Sequence, residues 1–507
     1  MGKIQGSVPG SEAGCVKSAC HSRLVTTHKH NRGRSRTNTG RVKSSMDGST
    51  VPPRGPAIDA SSAFILLITI FAFFLPILLY FPPVPPSKRD ALLETHTQVG
   101  LSPSESGLKG HHSKANNSNG SDNNPTSKIR SLFIYPLKSC RGIEVRQSKV
   151  LPTGLEFDRL YTFAQLKSPF PLALPSPSQD QDQDKSTEKE KEAHTWHFIT
   201  QRQFPLLATI RVDLFTPDPL KTRVVGTTPP PPPPSASASA SASAPFLLVR
   251  FPWRERGLRG LLGWVGAKLA RGWRAQPERE FVLPVAYPTA EEIAARGYGE
   301  GEEVVVWRET VRALDMGVEV PEELALYLGV SNRLGLFRVD PGRLREVFRC
   351  APRRGEAGYQ PVTGFQDAYP LHLLNLTSVR DFEAKIEKDE ALRELDPRRF
   401  RANIIVDGDD SPYDEETWKR IRFRPGPSSK RDASEFHVSC RTVRCKLPNV
   451  DQDTGSRHPM QPDRALRKFR EVDEDLGRAG AGAEGVLLVP TAVEVAAAGG
   501  AIVWVVC

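Results

Sequence analysis

The stretch that decides the fold is Ile129-Arg-Ser-Leu-Phe-Ile-Tyr-Pro-Leu-Lys-Ser-Cys-Arg-Gly142. Its first half is apolar and rich in residues that favour strands, so it predicts a β-strand over 131–136. The turn that follows carries two cations, Lys138 and Arg141, together with a hydroxyl and a glycine. Such a turn can present positive side chains and backbone NH groups to an oxyanion. A basic hairpin turn on the surface would explain the same residues.

Short runs of the same kind recur further along the chain. They lie at 160–166, 197–200, 208–215, 246–251 and 304–307, and in a second block from Tyr359 at 403–406, 421–423 and 436–446. One helix is predicted over 378–388. Many short strands with few helices are typical of β-barrel-like domains and not of βαβ units. The predicted fold is therefore mainly β with some α.

Two low-complexity insertions interrupt the strands, an acidic polar stretch over 176–192 and a proline run followed by Ser-Ala repeats over 229–244. Neither composition can pack into a core, so both are predicted to be solvated loops. The predicted organisation is a basic disordered tail over 1–61, an apolar helix over 62–81, a flexible linker over 82–128, and two β domains over 129–350 and 351–507.

Residues 62–81 form an uncharged apolar run of about the length that crosses a bilayer. We predict a single transmembrane helix here, with a kink at Pro76 and an aromatic interface anchor at Tyr80 and Phe81. The run begins too far from Met1, and is too long, for the apolar part of a cleaved signal peptide. The Arg-rich, acid-poor tail before it has the composition of a mitochondrial targeting segment.

The formal net charge of +10 comes largely from the tail, where ten Lys or Arg face three acids in the first 60 residues. No RNP-type aromatic strand, zinc-finger spacing or basic helix with heptads accompanies this charge, so it does not favour nucleic-acid binding. The seven cysteines are scattered and odd in number. This usage is typical of a reduced compartment and not of a disulfide-stapled secreted domain.

A candidate metal ligand lies in His437-Val-Ser-Cys-Arg-Thr-Val-Arg-Cys-Lys446. The thiolate of Cys445 is the soft ligand that a thiophilic metal needs, and two nearby arginines favour its charged form. The alternative is that this cysteine is a small buried hydrophobe in a strand. A structural zinc site fails because Cys440 and Cys445 have no second Cys/His pair at a suitable spacing. No Gly-x-Ser-x-Gly elbow or comparable signature supports a nucleophilic site.

Further arginines stand in positions that fit an anion site. They are Arg159, which follows an aspartate, Arg202 in Thr200-Gln-Arg-Gln203, and Arg401 in Phe400-Arg-Ala-Asn403. Taken singly, each of them fits a surface or structural ion pair as well.

Taken together, four fragments occur in a specific order. They are Ile-Tyr-Pro-Leu-Lys-Ser-Cys-Arg-Gly-Ile at 134–143, Asp-Arg then Phe-Ile-Thr-Gln-Arg-Gln within 158–203, Phe-Arg-Ala-Asn-Ile-Ile-Val-Asp-Gly at 400–408, and Arg-Cys-Lys-Leu-Pro-Asn-Val-Asp-Gln-Asp-Thr-Gly at 444–455. In this order they resemble MOSC proteins with an N-terminal MOSC β-barrel domain, and among these the mitochondrial amidoxime-reducing components. The resemblance covers roughly 129–475. It implies an N-terminal β-barrel-like domain followed by a MOSC β-barrel domain.

In that family the cysteine of the Arg-Cys motif binds the molybdenum of a pterin cofactor, and this position falls on Cys445. The residues that the resemblance places around the molybdenum cofactor are Lys138 and Ser139 in the turn after the first strand, and Arg159, Arg202, Arg401 and Asn403 around the pterin and its phosphate. A phosphorylated pterin needs several cations and NH donors, and a molybdenum centre needs a protein thiolate. The residue types agree with these roles.

The sequence departs from the family's pattern at two places. Ala368 and Tyr369 occupy the site-lining stretch 366–371, where the amidoxime reducers usually carry small hydroxyl residues. The segment over 476–507 lacks the family's usual C-terminal motifs. Its final strand either closes the barrel or the divergent end leaves the fold incomplete, and Cys507 is not predicted to be a ligand.

The resemblance implies a molybdenum-dependent oxidoreductase that reduces N-oxygenated, N-hydroxylated substrates, with Cys445 as the catalytic residue. No Rossmann glycine pattern or flavin motif occurs, so the electrons must come from partners. The resemblance implies that these partners are cytochrome b5 and NADH-cytochrome b5 reductase. It also implies anchoring in the mitochondrial outer membrane with the C-terminal domains facing the cytosol.

Two alternatives stay open. MOSC domains also occur at the end of molybdenum-cofactor sulfurases, so the chain is alternatively a non-catalytic carrier of the cofactor, or of a persulfide on Cys445. That relationship also associates the family with pyridoxal phosphate binding, although the pyridoxal-phosphate enzyme domain of the sulfurases is absent from this sequence. The second alternative is a membrane protein whose β domains serve interaction only.

Overall fold

The computed structural model describes residues 59–80, 87–111, 127–168, 194–222, 244–408, 411–424, 434–473, 478–487, 493–496 and 502–506. The tail through residue 58, the insertion over 176–192, residues 229–243 of the proline-rich insertion, and Cys15, Cys20 and Cys507 lie outside these residues.

Strands and helices are numbered in chain order. The strands are β1 His96–Val99, β2 Ser127–Ile134, β3 Ile143–Val145, β4 Gln147–Leu151, β5 Gly154–Leu155, β6 Tyr161–Lys167, β7 Thr195–Phe198, β8 Arg211–Pro217, β9 Phe246–Pro252, β10 Glu278–Pro284, β11 Gly299–Val306, β12 Glu309–Asp315, β13 Leu334–Val339, β14 Arg345–Glu346, β15 Val362–Thr363, β16 Leu371–Asn375, β17 Ile404–Asp407, β18 Arg420–Arg424, β19 Ser434–Val443, β20 Glu471–Asp473, β21 Arg478–Leu487, β22 Val493–Ala496 and β23 Ile502–Val506. The helices are α1 Ala60–Tyr80, α2 Lys88–Thr95, α3 Pro219–Thr222, α4 Gly257–Arg271, α5 Ala290–Arg296, α6 Glu323–Leu328, α7 Arg354–Ala357, α8 Leu376–Ala384 and α9 Asp463–Phe469.

The predicted fold class, mainly β with some α, is confirmed. Each strand predicted from the sequence overlaps an observed strand, and the helix predicted over 378–388 corresponds to α8. This helix begins earlier than predicted because Asn375 caps it. The side chain of Asn375 accepts a hydrogen bond from the backbone NH of Thr377 at 3.0 Å.

Five strands close into a barrel in the order β11, β12, β13, β6 and β7. All neighbouring pairs are antiparallel except β7 and β11, which are parallel. One apolar cluster gathers buried side chains from all of these strands, namely Ala164, Trp196, Val304, Ala313 and Phe337. Period-two alternation along each strand directs such residues to a common side. The barrel lies within the predicted N-terminal β domain.

Part of the stretch predicted as a flexible linker, 82–128, is folded. The hydroxyl of Ser87 caps α2 by accepting from the backbone NH of Asp90 at 3.1 Å. β1 pairs with β8 at the edge of a four-stranded sheet that also contains β9 and β10. His96 is buried there, and its ring lies 5.5 Å from that of Phe246. Within the predicted linker, 88–99 thus forms a helix and a strand, because capping and strand pairing stabilise regular structure in a stretch of polar composition. Residues 112–126 lie outside the described residues.

Within the described residues, the largest sheet has nine strands. Its order runs from β16 through β17, β2, β23, β18, β19 and β21 to β20, with β3 paired to β2. The additional pairing of β21 with β16 brings the sheet back on itself. β2 and β3 come from the first predicted β domain, whereas the other strands come from the second. The sheet is therefore not built from 351–507 alone.

β2 is covered on both faces. Leu132 and Ile134 belong to one apolar cluster, and Phe133 belongs to another that also holds Phe382 of α8. A strand buried on both faces needs apolar residues at successive positions, which explains the unbroken apolar run in the sequence. β2 therefore carries the turn at its end, residues 135–141, into the interior of the fold.

α1 corresponds to the predicted transmembrane helix over 62–81. The chain divides within this helix into two units, one through Ala72 and one from Phe73. Across the residues that the structure describes, no helix combines the length and the apolar character needed to cross a bilayer. The predicted transmembrane helix, and the single-pass orientation that depended on it, are therefore not supported.

The divergent C-terminal segment contributes strands to the sheets. β21 pairs with β16 and β19, β22 pairs with β4, and β23 lies between β2 and β18. The final strand, β23, is not one of the five strands of the closed barrel; it joins the nine-stranded sheet between β2 and β18.

Candidate functional site

The turn at the end of β2 places Lys138 and Ser139. Ser139 has a left-handed backbone with φ of 66°. The backbone NH of Lys138 donates to the carbonyl of Tyr161 at 2.8 Å, and the backbone NH of Arg159 donates to the carbonyl of Tyr135 at 2.8 Å. These bonds tie the turn to the segment that precedes β6. Two of the motifs found in the sequence therefore lie side by side.

The buried ring of Tyr135 contacts two predicted site arginines. Its centroid lies 4.8 Å from the guanidinium carbon of Arg159 and 4.3 Å from that of Arg401. Burial raises the pKa of Tyr135 to about 12, against the opposing effect of the two positive charges. The phenol is therefore neutral at physiological pH, and its ring gives both guanidinium groups a cation–π contact.

Arg159 is held by a carboxylate and an amide. It donates to Asp158, to Oδ1 of Asn403 at 3.1 Å and to the carbonyl of Arg401 at 3.4 Å. Burial by itself lowers the pKa of Arg159, but the charge of Asp158 more than offsets this and raises it. Asn403 is almost fully buried and donates from Nδ2 to the carbonyl of Phe133 at 3.2 Å. Asn403 therefore fixes the direction of the Arg159 side chain relative to β2.

Arg401 has a buried donor without an acceptor. Its backbone is left-handed, with φ of 55°, and its Nη1 donates to the carbonyl of Cys140 at 2.7 Å. Its Nη2 is buried and has no hydrogen-bond partner among the described residues. Burial lowers the pKa of Arg401. A buried guanidinium NH2 without an acceptor is unfavourable, and an anionic oxygen would satisfy it.

Lys138 is buried and paired with Asp367. Its Nζ lies 2.5 Å from Oδ1 of Asp367 and donates to the carbonyl of Phe365 at 2.6 Å. Burial lowers the pKa of Lys138, and the Asp367 charge opposes this. Desolvation raises the pKa of Asp367, but the Lys138 charge and the hydrogen bonds from Lys138 and Trp307 outweigh it and hold that pKa below its ordinary value. Lys138 and Asp367 therefore stabilise each other in their charged forms.

The segment over 364–367 is held from a second direction by Arg345. This side chain donates from Nη2 to the carbonyls of Gly364 at 2.9 Å and Gln366 at 2.6 Å. Lys138 binds the carbonyl of Phe365, which stands between these two residues. Two cations therefore donate hydrogen bonds to three consecutive main-chain oxygens of this segment.

Arg202 lies on an aromatic residue that the sequence analysis did not select. Its guanidinium carbon is 4.1 Å from the ring centroid of Trp307, in the turn between β11 and β12. The indole Nε1 of Trp307 donates to Oδ1 of Asp367 at 3.0 Å. Trp307 therefore links Arg202 to the pair formed by Lys138 and Asp367.

Cys445 follows β19 as a half-buried free thiol. Its neighbour Arg444 donates from Nη1 to the carbonyl of Phe400 at 3.0 Å, and from Nη2 contacts the ring of His372. Phe400 immediately precedes Arg401, and the backbone NH of His372 donates to Oδ1 of Asn403 at 3.3 Å. Arg444 thus joins the segment that carries Cys445 to the residues that hold Arg401 and Asn403.

The structure brings the predicted site residues into two groups. Arg159, Arg401 and Asn403 form one group around Tyr135, and Lys138 and Arg202 form the other through Asp367 and Trp307. The positive charge of Arg159 lowers the pKa of Lys138, so the groups interact electrostatically. The carbonyl of Ser139 accepts from Nε2 of Gln201, the residue before Arg202, at 2.8 Å. Among the residues that the structure describes, the Cys445 thiol forms no hydrogen bond with either group.

A sequence-based search for charged and thiol groups missed residues that organise the site. Tyr135 and Trp307 are neutral, and His372 lies outside the four sequence motifs. Tyr135 did carry a signal, because it lies inside the Tyr-Pro-Leu-Lys-Ser motif. For Trp307 the sequence contained no signal of a role beyond its position at the end of a predicted strand.

The donor set agrees with a large anionic ligand and a soft metal. Four cations and an unsatisfied guanidinium nitrogen suit phosphate or pterin oxygens. Within the described part of the chain, no group of three or more His, Cys, Asp or Glu residues could hold a metal ion.

Two family models match the chain. The MOSC N-terminal beta barrel domain matches residues 126–233, and the MOSC domain matches residues 360–498. The stretch 234–359 lies outside both matches. It contains α4, the β11–β12 hairpin with Trp307, and Arg345.

The chain is also similar to curated proteins named as mitochondrial amidoxime-reducing components. It is 28% identical to component 1 of Danio rerio over 167 residues, which are 32% of this chain and 45% of that protein. It is 26% identical to component 1 of Xenopus laevis over 175 residues, 34% of this chain and 46% of that protein. With component 2 of Rattus norvegicus it shares 28% over 109 residues, 22% of this chain and 28% of that protein. The matched region thus spans less than half the length of these relatives.

The association with pyridoxal phosphate finds no support in these comparisons.

The paired strands, the closed barrel and the two domain matches agree with one another. The chain therefore carries a MOSC N-terminal beta barrel domain over 126–233 and a MOSC domain over 360–498, and it is similar to mitochondrial amidoxime-reducing components.

Proposed function

We propose that this protein binds a molybdenum cofactor through the site around Tyr135 and uses it to reduce N-hydroxylated compounds. The observation that carries the proposal is the buried Nη2 of Arg401, which has no acceptor within the described residues. Burying such a donor without an acceptor costs free energy, and a ligand that accepts its hydrogen bond removes this cost. An anionic pterin cofactor supplies oxygens of the required kind.

Each predicted residue has a role in holding the cofactor. Arg401 and Arg159 bind its anionic groups, with Asn403 orienting Arg159 through the 3.1 Å hydrogen bond. Lys138 and Arg202 contribute positive charge from the other side of the site. Ser139 supplies a hydroxyl and a backbone in the left-handed conformation. Cys445 is the protein ligand to the metal and the catalytic residue.

When bound, this cofactor supplies a metal that exchanges two electrons with a substrate. The overall reaction consumes two electrons and two protons, breaks the N–O bond of the substrate and releases water. The names of the relatives, which call them amidoxime-reducing, support this choice of substrate class.

The chain's own residues set the conditions for this chemistry. The paired charges of Lys138 and Asp367 keep a carboxylate ionised beside a buried cation. This carboxylate is more than half exposed, at 59%, and so is accessible to a polar substrate. We propose that Asp367 binds the amidine or amine end of the substrate, where it favours the protonated product.

Electrons come from separate proteins in this proposal. The family resemblance favours cytochrome b5 and NADH-cytochrome b5 reductase as the donors. The names of the relatives favour a mitochondrial location.

The first experiment measures bound molybdenum and pterin in the full chain expressed in a host that makes the cofactor. The Cys445→Ala variant is expected to lose the metal, and Cys350→Ala, which removes an exposed cysteine, is the matched control and should keep it. Arg401→Gln is expected to lose pterin as well as metal. A folded wild-type protein that carries neither component contradicts the proposal.

A second experiment separates the reductase from the carrier. Metal-loaded protein is given benzamidoxime and an artificial electron donor, and formation of benzamidine is measured. Turnover that disappears in Cys445→Ala supports the reductase. Metal-loaded protein without turnover contradicts it and supports the alternative, a carrier of the cofactor or of a persulfide.

A further inference from the structure

α4 carries its apolar residues on the outside of the molecule. Only Gly260 of this helix is buried, and Leu258 and Leu262 are 79% and 70% exposed. None of its side chains belongs to an apolar core cluster within the described residues. The exposed apolar side chains of α4, here called the leucine stripe, are Leu258, Leu261, Leu262, Val265 and Leu269.

The spacing of the leucine stripe places all five side chains on one face of the helix. The positions i, i+3, i+4, i+7 and i+11 recur with the period of an α-helix. In a globular protein such a stripe normally faces the core. Here it faces away, so it is available to a partner outside the chain.

Basic residues surround the leucine stripe. The stretch 254–274 contains one acid, Glu255, and six cations, Arg254, Arg256, Arg259, Lys268, Arg271 and Arg274. None of these cations forms an ion pair within the described residues. By helical position, Arg259 lies at one border of the stripe and Lys268 at the other. The surface therefore combines apolar side chains with a local excess of positive charge.

Two tryptophans complete this surface. The Nζ of Lys268 lies 5.0 Å from the ring centroid of Trp264 and 5.1 Å from that of Trp273. Trp273, just beyond the end of α4, is 81% exposed. Tryptophan beside lysine or arginine is typical of residues that sit at the boundary between water and lipid.

The helix also contains residues that weaken it in water. Gly257, Gly260, Gly263 and Gly266 are poor helix formers. A Cβ at Gly263 or Gly266 would meet no atom within 4 Å, so the absence of a side chain at these positions does not serve packing. Burial of the leucine stripe against another phase would stabilise the helix.

We propose that α4 lies in the surface of an anionic lipid bilayer, with the leucine stripe in the acyl region and the cations at the phosphate groups. A second copy of the chain fits less well, because a symmetric contact would bring the same cations together. The typical features of an interfacial helix are present here: one apolar face, Trp, and Arg and Lys, with no acid within 257–271. This surface differs from the cofactor site, so it does not rest on the proposed function.

Hydrogen exchange of the full chain tests this proposal at the helix itself. Amides of 257–271 are expected to exchange more slowly after phosphatidylcholine vesicles containing phosphatidylserine are added, and much less so with phosphatidylcholine alone. α6 is the internal control, because its Leu326 is 72% exposed but has no comparable stripe. Unchanged exchange of 257–271 with the anionic vesicles overturns the proposal.

Three variants and a control test the chemistry of the contact. Leu258→Glu with Leu262→Glu is expected to weaken the vesicle-induced protection of 257–271 by about tenfold or more in lipid concentration. Arg259→Gln and Lys268→Gln are each expected to weaken it about fivefold, and only for the anionic vesicles. Leu326→Glu should have no effect. Because α1 is the same in every variant, its apolar residues cannot account for a difference.

Other partners at the leucine stripe would give different results in these experiments. If the double leucine variant converts a dimer into a monomer in sedimentation without lipid, while vesicle protection is unchanged, the occupant is a second copy and the lipid proposal fails. Equal protection by neutral and anionic vesicles overturns the role assigned to the cations.

Discussion

At the scale of single residues, the site is distinguished by left-handed backbones that are not glycine. Ser139, Arg159, Trp307 and Arg401 have φ of 66°, 48°, 61° and 55°. A side chain in this conformation costs about 1 kcal/mol or more relative to an ordinary one. The chain keeps the side chains of the candidate site at these four positions despite that cost.

Replacing Arg159 should show how much the buried Asp158 carboxylate depends on the Arg159 charge for its contribution to stability. We expect Arg159→Gln to lower the free energy of unfolding by about 3 kcal/mol, because it leaves the fully buried Asp158 carboxylate without its cation. Denaturant unfolding measures this loss. Burial raises the pKa of Asp158, so the variant should lose stability as the pH rises through that pKa.

The matched control for that substitution is an exposed ion pair. Arg146 pairs with Glu105 at the surface, where both side chains are largely accessible. Arg146→Gln should change the unfolding free energy by less than about 1 kcal/mol. Equal losses for the buried and the exposed arginine would show that Asp158 does not depend on Arg159.

Glu415 should make the stability of the protein depend on pH. It is fully buried, Ser378 donates to it at 2.8 Å, and burial raises its pKa from 4.5 to about 7. The folded state therefore holds a proton that the unfolded state releases. The contribution is complete below pH 4.5 and is lost as the pH rises to about 7, up to about 3 kcal/mol.

The measurement is unfolding by denaturant across that pH range. Glu415→Gln, which keeps the size of the side chain and cannot ionise, should remove most of the pH dependence. A wild-type stability that rises between these pH values, or a variant with the same slope, contradicts the assignment.

From the sequence alone we could select the cations of the candidate site, but not the residues that hold those cations in place. Lys138, Arg159 and Arg401 were found because each lies in a recognisable motif. Asp367 was noted only as part of a lining stretch, because nothing in the sequence indicated that it pairs with Lys138. Such pairing depends on contacts between residues more than 200 positions apart, 229 in this case. Periodicity and local motifs contain no information about it.

At the scale of secondary structure elements, the antiparallel pairing of β21 with β16 decides whether the large sheet returns on itself. Gly482 has φ of 84°, and a Cβ there would lie 2.4 Å from the carbonyl oxygen of Leu373. We expect Gly482→Ala to lower the free energy of unfolding by about 3 kcal/mol, from backbone strain and overpacking together. The same Cβ would lie 2.9 Å from Nε2 of His372, so contact with Arg444 should also be disturbed.

A glycine without such neighbours provides the control. Gly266 lies within α4 with nothing near its Cβ position. Gly266→Ala should raise the stability of that helix by about 0.5 to 1 kcal/mol, because alanine is the better helix former. Thermal unfolding of the two variants should therefore shift in opposite directions, and a loss in both would contradict the argument from Gly482.

The strands were predictable from the sequence because each is a short run of β-branched and aromatic residues. α2 and β1 were not, because their composition is polar and their order comes from the Ser87 cap and from pairing with β8. α4 was missed as well, although its stripe has a helical period. Four glycines and a surrounding stretch without family motifs concealed that period.

At the scale of the whole molecule, β2 couples the two predicted β domains. It pairs with β17 and β23 in a sheet that otherwise belongs mostly to the second domain. The predicted boundary at 350 and 351 therefore separates strands that share hydrogen bonds. We expect a fragment over 351–507 to be unfolded or aggregated, since it lacks β2 and exposes the edges of its two neighbours.

That expectation can be checked by adding the missing strands. Circular dichroism and solubility of the fragment should improve when a peptide over 127–145, which contains β2 and β3, is supplied. A fragment that folds by itself, with cooperative unfolding and no gain from the peptide, contradicts a shared sheet.

The hydrogen bonds from Lys138 and Arg345 to the segment 364–367 affect which residues of the site can change as this protein diverges. Both cations bind main-chain oxygens, so the position of Asp367 does not depend on the side chains that follow it. Ala368 and Tyr369 can therefore change over evolutionary time while the carboxylate keeps its place. In such a lineage, the compounds accepted by the site would drift while its affinity for a cofactor is retained.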